Sequence, residues 1–292
     1  MKSSKETIIY ILGAGRSGTT ALATFLGNND EIQNIGEMHQ IFKYLDENKE
    51  CSCGKLLNEC DFWKNKIGYL TQKYSENSRQ LSEKMECHSG IIKHILNIFS
   101  KTQHEKYIAL HQSIFDSIQS NTEKSILLDS SKYLGRALAL NKLDNIELKI
   151  IYVVRDVRGV INSFSKKVQT SKSPLSTIVY YTLVNLVAEF ITRFILRKSV
   201  IKIRYEDLIN NPNTLFDRLE GFLNLNLQAV KDKIEKQQAF QIGHIIGGNR
   251  LKKSKEIYFR KDVAWQKNFN WIERLIYYIL ASPIMLLNRY KL

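Results

Sequence analysis

The chain has 292 residues, of which 43% are hydrophobic and 25% charged, and a formal net charge of +14 at pH 7. This is ordinary globular composition, long enough to bury a full core without a disulfide or metal staple. The basic excess favours an anionic partner, but no Lys/Arg block dominates (Lys252 and Lys253 are only a pair), so a nucleic-acid-binding tail is excluded.

The first six residues, Met1–Glu6, contain no apolar run with a cleavage site, so no signal peptide is expected and a cytoplasmic location follows. Glu6–Leu12 (ETIIYIL) reads as a buried parallel strand, Gly13–Thr20 as a loop, and Thr20–Leu26 as a helix. Residues from about 48 to 123 are polar and helix-biased and hold all four cysteines, which suggests a helical insertion contributing to an acceptor site. Ser125–Leu128, Leu148–Val154 and Val200–Ile203 read as further strands, separated by helical patterns at Tyr133–Lys142, Gly159–Lys167 and Ser176–Arg197. Leu175–Leu196 is the longest apolar stretch; Asn185, Glu189 and Arg193 within it indicate a partly buried helix. Trp271–Leu287 is apolar too, interrupted by Glu273 and Arg274. Strands alternating with helices predict an α/β fold, a P-loop-like three-layer α/β/α with a mostly parallel central sheet. Residues 1–292 are expected to form a single domain carrying the insertion.

Two segments carry phosphate-binding chemistry. Gly13-Ala14-Gly15-Arg16-Ser17-Gly18-Thr19-Thr20 follows a strand and opens a helix. Glycines let the backbone turn its N–H groups toward an anion, and the helix N-terminus adds partial positive charge. Arg16, Ser17, Thr19 and Thr20 supply further donors. A nucleoside triphosphatase loop needs Lys after its last glycine, where this chain has Thr19. The G-x-G-x-x-G spacing of Gly13, Gly15 and Gly18 is by itself only a weak dinucleotide signal. The second segment runs from Arg155, leaving the strand Leu148–Val154, to Ser163 eight residues later in the next helix. Read alone, Arg155-Asp156-Val157-Arg158 is weak evidence, such a run being more often a surface ion pair.

Gly-Arg-Ser-Gly-Thr-Thr directly after the first strand resembles the 5′-phosphosulfate loop of the sulfotransferase superfamily that uses 3′-phosphoadenosine 5′-phosphosulfate (PAPS), most nearly its bacterial and Golgi-type branch, which includes the tyrosylprotein and carbohydrate enzymes. Arg155 and Ser163 match the family's 3′-phosphate pair. Arg204-Tyr205-Glu206-Asp207-Leu208 resembles a recurring structural segment of the family, in which Glu206 and Asp207 would cap or pair. Gly247-Gly248-Asn249-Arg250, with Asp262 and Trp265 beyond, resembles its C-terminal nucleotide-covering segment, though G-N-R here shifts the register of Arg250. The resemblance implies PAPS held by Gly15, Arg16, Ser17, Gly18, Thr19, Thr20, Arg155, Ser163 and Arg250.

It also implies sulfuryl transfer to an acceptor hydroxyl. A carbohydrate or lipid-linked glycan is the first expectation, with peripheral contact to the inner face of an anionic membrane. A tyrosine or small phenol is the alternative acceptor, and a P-loop kinase or nucleotide-binding protein the alternative function. By analogy with phosphoryl transfer the transition state is loose, so catalysis rests on in-line positioning, charge neutralisation and removal of the acceptor proton. No metal is expected in that chemistry. Arg16 would stabilise the leaving group, helped by Lys132 after Asp129-Ser130-Ser131. Glu37, in Gly36-Glu37-Met38-His39, matches the position of the tyrosylprotein branch's catalytic Glu and is the expected base, with His39 and His111 as alternatives.

Cys51-Ser52-Cys53-Gly54 and Cys60-Asp61-Phe62-Trp63 form a tight cluster. Its three thiols could ligate zinc with Cys87, His88 or His39 as a fourth ligand, but the spacing is not that of a zinc finger. Reduced, partly buried cysteines are the expectation, ahead of a metal or a disulfide.

Overall fold

The structure is a computed structural model that describes residues 6–73, 75–120, 122–143, 145–166, 171–248 and 254–292. Five strands form its central sheet: β1 (Glu6–Gly13), β2 (Ile32–Gly36), β3 (Ile126–Lys132), β4 (Ile146–Val154) and β5 (Val200–Arg204). Their order is β2-β3-β1-β4-β5, the sheet is mostly parallel, and helices flank it. The expected α/β architecture is therefore present. Ile8–Leu12 of β1 and Ile150–Val154 of β4 are at most 2% exposed, which is why both read as unbroken apolar runs rather than alternating ones.

Two differences from the sequence reading matter for the site. β2 was not expected; it lies between the first helix and Glu37. β3 runs on to Lys132, so Asp129–Lys132 are strand residues rather than a loop leading into a helix. Parallel register pairs Gly36 of β2 with Asp129 of β3 and Leu12 of β1 with Lys132, fixing both strand ends against one another.

The chain divides into two compact units. The first comprises Met1–Leu12, Ala23–Ile150 and Phe240–Ile257. Within it, helices Lys64–Lys73, Glu76–Glu86, His88–Ile95 and Lys101–Gln119 occupy the cysteine-bearing stretch. The last of these begins at a Ser100/Gln103 capping box, which satisfies two otherwise orphaned backbone donors. Arg136 is fully buried among Asp129, at 2.8 Å, and Glu86, which also accepts from Tyr107 at 2.8 Å. A backbone bridge joins Gly36 to Ile246.

The second unit comprises Gly13–Leu22, Ile151–Ala239 and Tyr258–Leu292. Its helix Val157–Ser165 is N-capped by Asp156, whose carboxylate accepts from the Arg158 backbone N–H at 2.8 Å. Helix Pro174–Phe194 starts at Ser173 with Pro in its first turn, a favoured arrangement because proline's missing donor is not needed there. Among the described residues it is the one helix long and apolar enough to cross a membrane by length and composition, and 44% of its most apolar window is buried.

Candidate active site

The phosphate loop belongs to the second unit. Ser17 N–H donates to Ala14 O at 3.2 Å and Gly15 N–H donates to the Tyr180 hydroxyl at 2.9 Å, closing the turn. Gly18 has φ +90°, and a Cβ there would stand 2.3 Å from Cδ2 of Tyr205, so this position requires glycine. Arg16 adopts φ 69°, a left-handed conformation costly for a non-glycine residue, and its guanidinium lies 5.4 Å from the centre of the Phe164 ring. Thr19 and Thr20 are buried at the helix start. The Ser17 hydroxyl is fully buried and has no hydrogen-bond partner among the described residues. A buried, unsatisfied hydroxyl inside a strained glycine-rich loop fits an anion-binding cradle, because an orphaned donor otherwise costs about 1–3 kcal/mol.

Arg155 leaves the end of β4 and is 4% exposed. It donates to Arg16 O at 3.2 Å and to the Asp262 carboxylate at 3.1 Å, and its guanidinium lies over the Tyr205 ring at 4.2 Å. Burial opposes ionisation of Asp262, but the Arg155 charge and hydrogen bond outweigh it and hold that carboxyl below its ordinary range. Ser163 sits half-buried in the last turn of the helix that Arg155 precedes. Arg158, by contrast, is occupied by Asp156 at 2.7 Å and Lys291 O at 2.7 Å, and packs on Trp265 at 4.3 Å. Of the two arginines in the motif, only Arg155 reaches the loop carrying Arg16. Glu206 accepts from the Asp156 N–H at 3.0 Å and from Tyr290, while Asp207 pairs with Arg204 at 2.6 Å. Arg250 lies outside the described residues.

Glu37 and Lys132 belong to the first unit. Gly36 has φ +81°, and a Cβ there would stand 2.2 Å from Ile246 O, so glycine is required where β2 turns. The Glu37 N–H donates to Ile246 O at 2.7 Å. The Glu37 carboxylate forms an ion pair with Lys132 and accepts from Gln40 Nε2 at 2.7 Å. Lys132 has φ 73°, so it too is a non-glycine residue held in a strained conformation. Asp129 keeps the arrangement: its Oδ1 accepts from Ser131 N–H at 2.9 Å and from Met38 N–H at 3.4 Å, and Arg136 grips its other oxygen. His39 N–H donates to Ser131 Oγ at 3.0 Å, completing the tie between the Glu37 turn and β3.

The two alternative bases are less suited. Burial, with Arg136 and Lys132 adding to it against the opposing pull of Asp129, pushes the His39 imidazole down to about 3, which makes it a weak proton acceptor. His111 is 1% exposed, its ring tilted against that of Tyr107 at 4.1 Å and within reach of Ser82 and Glu86, so it is a packed core residue.

Cys51, Cys53 and Cys60 converge with His244 rather than with Cys87 or His39, all four ligand atoms lying within 4.8 Å of one another. The side chain of His88 lies outside the described residues. Spacing along the chain had no means of finding His244, which stands 184 residues beyond Cys60. Sequence reasoning also missed Tyr180 beside the loop; Tyr205 and Asp262 were placed in family-like segments, but not their approach to Gly18 and Arg155.

A profile of the sulfotransferase family matches residues 9–229, about three quarters of the chain. The chain belongs to the sulfotransferase family. It is accordingly an enzyme of the PAPS-dependent superfamily that its loop resembles. Among solved structures, the sulfotransferase domain from the curacin biosynthetic pathway shares the fold at 17% identity and TM-score 0.54, covering 99% of this chain and 100% of that one. The sulfotransferase domain from the Synechococcus PCC 7002 olefin synthase does so at 15% identity and TM-score 0.51, covering 99% and 97%. No curated protein matches the sequence.

Proposed function

We propose that this sulfotransferase moves the sulfuryl group of PAPS to a hydroxyl of a carbohydrate or lipid-linked glycan, in the cytoplasm at the inner face of a membrane. The observation that carries the reading is the Ser17 hydroxyl, buried inside the strained Arg16 loop and unpartnered among the described residues. PAPS supplies an activated sulfate whose leaving group is the 5′-phosphate of adenosine 3′,5′-bisphosphate. Gly15–Thr20 hold the 5′ end, with Arg16 balancing the charge that builds on the bridging oxygen as the S–O bond breaks. Arg155 and Ser163 hold the 3′-phosphate, which competes with Asp262 for the guanidinium. Glu37 accepts the acceptor's hydroxyl proton as its oxygen bonds to sulfur, and Lys132 orients that carboxylate and offsets charge on the sulfuryl oxygens.

Support for a lipid-proximal acceptor comes from helix Pro174–Phe194, which exposes Leu175, Val179, Leu183, Leu186, Phe190 and Phe194. Exposed Arg197 and Lys198 follow it, a pattern suited to an anionic bilayer surface.

The test is incubation of the enzyme with PAPS bearing labelled sulfur and with separated glycan, glycolipid and phenolic acceptors. The proposal expects a labelled sulfate ester in the glycan or glycolipid fraction, formed in step with adenosine 3′,5′-bisphosphate. Label appearing only on phenols overturns the acceptor assignment, and phosphate transfer from ATP in place of sulfuryl transfer overturns the reaction.

A further inference from the structure

We infer that Cys51, Cys53, Cys60 and His244 bind one zinc ion, a structural site separate from the sulfuryl-transfer chemistry. The Cys53 and Cys60 sulfurs are 3.7 Å apart, the Cys60 sulfur lies 3.2 Å from His244 Nδ1, and the Cys51 sulfur 3.9 Å from the same nitrogen. Zinc bonds of about 2.3 Å to sulfur and about 2.0–2.1 Å to nitrogen, set tetrahedrally, separate two sulfurs by about 3.8 Å and a sulfur from a nitrogen by about 3.6 Å. These three separations are close to those of a Cys₃His site, and all four donors lie within 4.8 Å of one another. The sulfurs are at non-bonded distance, and all four cysteines of the chain are free.

The surroundings hold the donors in place. Gly54 N–H donates to Cys51 O at 3.0 Å and Cys51 N–H to Lys55 O at 2.9 Å, folding Cys51–Lys55 into a tight turn that brings two thiols to one side. Ser52, between those cysteines, donates from its hydroxyl to Gly243 O at 2.6 Å and accepts from Ile245 N–H at 2.8 Å, stitching the turn to either side of His244. Trp63 Nε1 donates to His244 O at 3.1 Å, and Phe62 stacks on the imidazole at 5.8 Å and 15°. These outer contacts fix ring and backbone as second-layer partners do in metal sites. Cys51 and Cys60 are at most 1% exposed, while Cys53 stands at the surface and His244 is half-buried; four protein donors leave no open ligand position, as in structural zinc sites. Zinc with three thiolates and a neutral imidazole carries one net negative charge. Lys66, 2% exposed, holds its ammonium 3.7 Å from the centre of the Phe62 ring, the ring stacked on His244, and so places a cation near that charge.

The ion would have a consequence for the active site. His244 is two residues from Ile246, whose carbonyl accepts the Glu37 N–H at 2.7 Å and whose N–H donates to Ile35 O at 3.2 Å. A metal clamping residues 244–246 to the cysteine turn therefore steadies the backbone on which Glu37 stands.

The test begins with protein purified without chelator from zinc-supplemented cells and measured by elemental analysis. One zinc per chain is expected, falling to background in Cys60→Ser and His244→Ala and unchanged in Cys87→Ser. If the ligand variants fail to fold, wild-type protein exchanged with Co²⁺ decides: tetrahedral cobalt bands with thiolate charge transfer are expected. Chelation should also speed amide exchange of the segment holding Glu37. Metal-free wild-type protein with a Co²⁺ spectrum showing no thiolate ligation, or a Cys53–Cys60 disulfide in the isolated enzyme, would overturn the inference.

Discussion

Replacing Arg155 with Ala should collapse the enzyme's preference for a 3′-phosphorylated nucleotide. The guanidinium is 4% exposed and lies within hydrogen-bond reach of both the phosphate loop and Asp262. Hydrogen bonds to a charged partner contribute about 1.5–3 kcal/mol, or about 10–150-fold in affinity. The substitution also removes the packing of Arg155 on Tyr205, a cation–π contact of about 0.5–2 kcal/mol that affects every nucleotide alike. The informative quantity is therefore a ratio: affinity for adenosine 3′,5′-bisphosphate over that for adenosine 5′-monophosphate, measured by titration calorimetry in wild type and variant. Any general loosening cancels in that ratio, which should fall by about 10–150-fold. Asp262→Asn provides the opposite perturbation. It removes a partly exposed competitor whose ion pair is worth about 0.2–1 kcal/mol, so bisphosphate binding should tighten by up to about fivefold. An unchanged ratio in Arg155→Ala, or weaker bisphosphate binding in Asp262→Asn, would refute the assignment of Arg155 to the 3′-phosphate.

Glu37→Gln should lower turnover by about 10²–10⁴-fold while leaving nucleotide affinity unchanged; near-normal steady-state turnover would remove Glu37 from the mechanism. Arg136→Leu should cost about 3–5 kcal/mol in urea unfolding, because it strands the buried carboxylates of Asp129 and Glu86; a loss below about 1 kcal/mol would contradict that reading. Stability should also fall in acid. Burial holds His39 down to about 3 and His94 to about 4, so below the ordinary histidine value of 6.5 the unfolded chain takes up protons that the folded chain refuses. Their contribution is complete above about pH 6.5 and is lost progressively toward pH 4, by up to about 1.4 kcal/mol per histidine per pH unit; a flat urea midpoint across that window would contradict it.

What the sequence disclosed and what it withheld follow from the range of each interaction. The phosphate loop was legible because strand, glycine turn, cation and helix start are consecutive, and the Ser17-to-Ala14 hydrogen bond that turns the chain is local. The strands β1 and β4 were legible because burial on both faces leaves an uninterrupted apolar run. The strand β2 was not, since Ile32-Gln33-Asn34-Ile35-Gly36 is short, sits at the sheet edge and carries two polar residues. Its omission placed Glu37 just past a helix, whereas its position is set by the Gly36–Ile246 bridge and by Asp129 on β3, contacts remote in sequence. Lys132 was recognised as a candidate but not its strained backbone or its partner. His244, and the pairing of Asp262 with Arg155, could not have been found by spacing, because the partners stand more than a hundred residues away.

The most direct test of the account is calorimetric titration of the wild-type enzyme with adenosine 3′,5′-bisphosphate and with ATP, each with and without Mg²⁺. A sulfotransferase that holds a 3′-phosphate through Arg155 should bind the bisphosphate about tenfold or more tightly than ATP, and equally well without Mg²⁺. Tighter, Mg²⁺-dependent binding of ATP would contradict the account and turn the Arg16 loop into the phosphate site of a kinase.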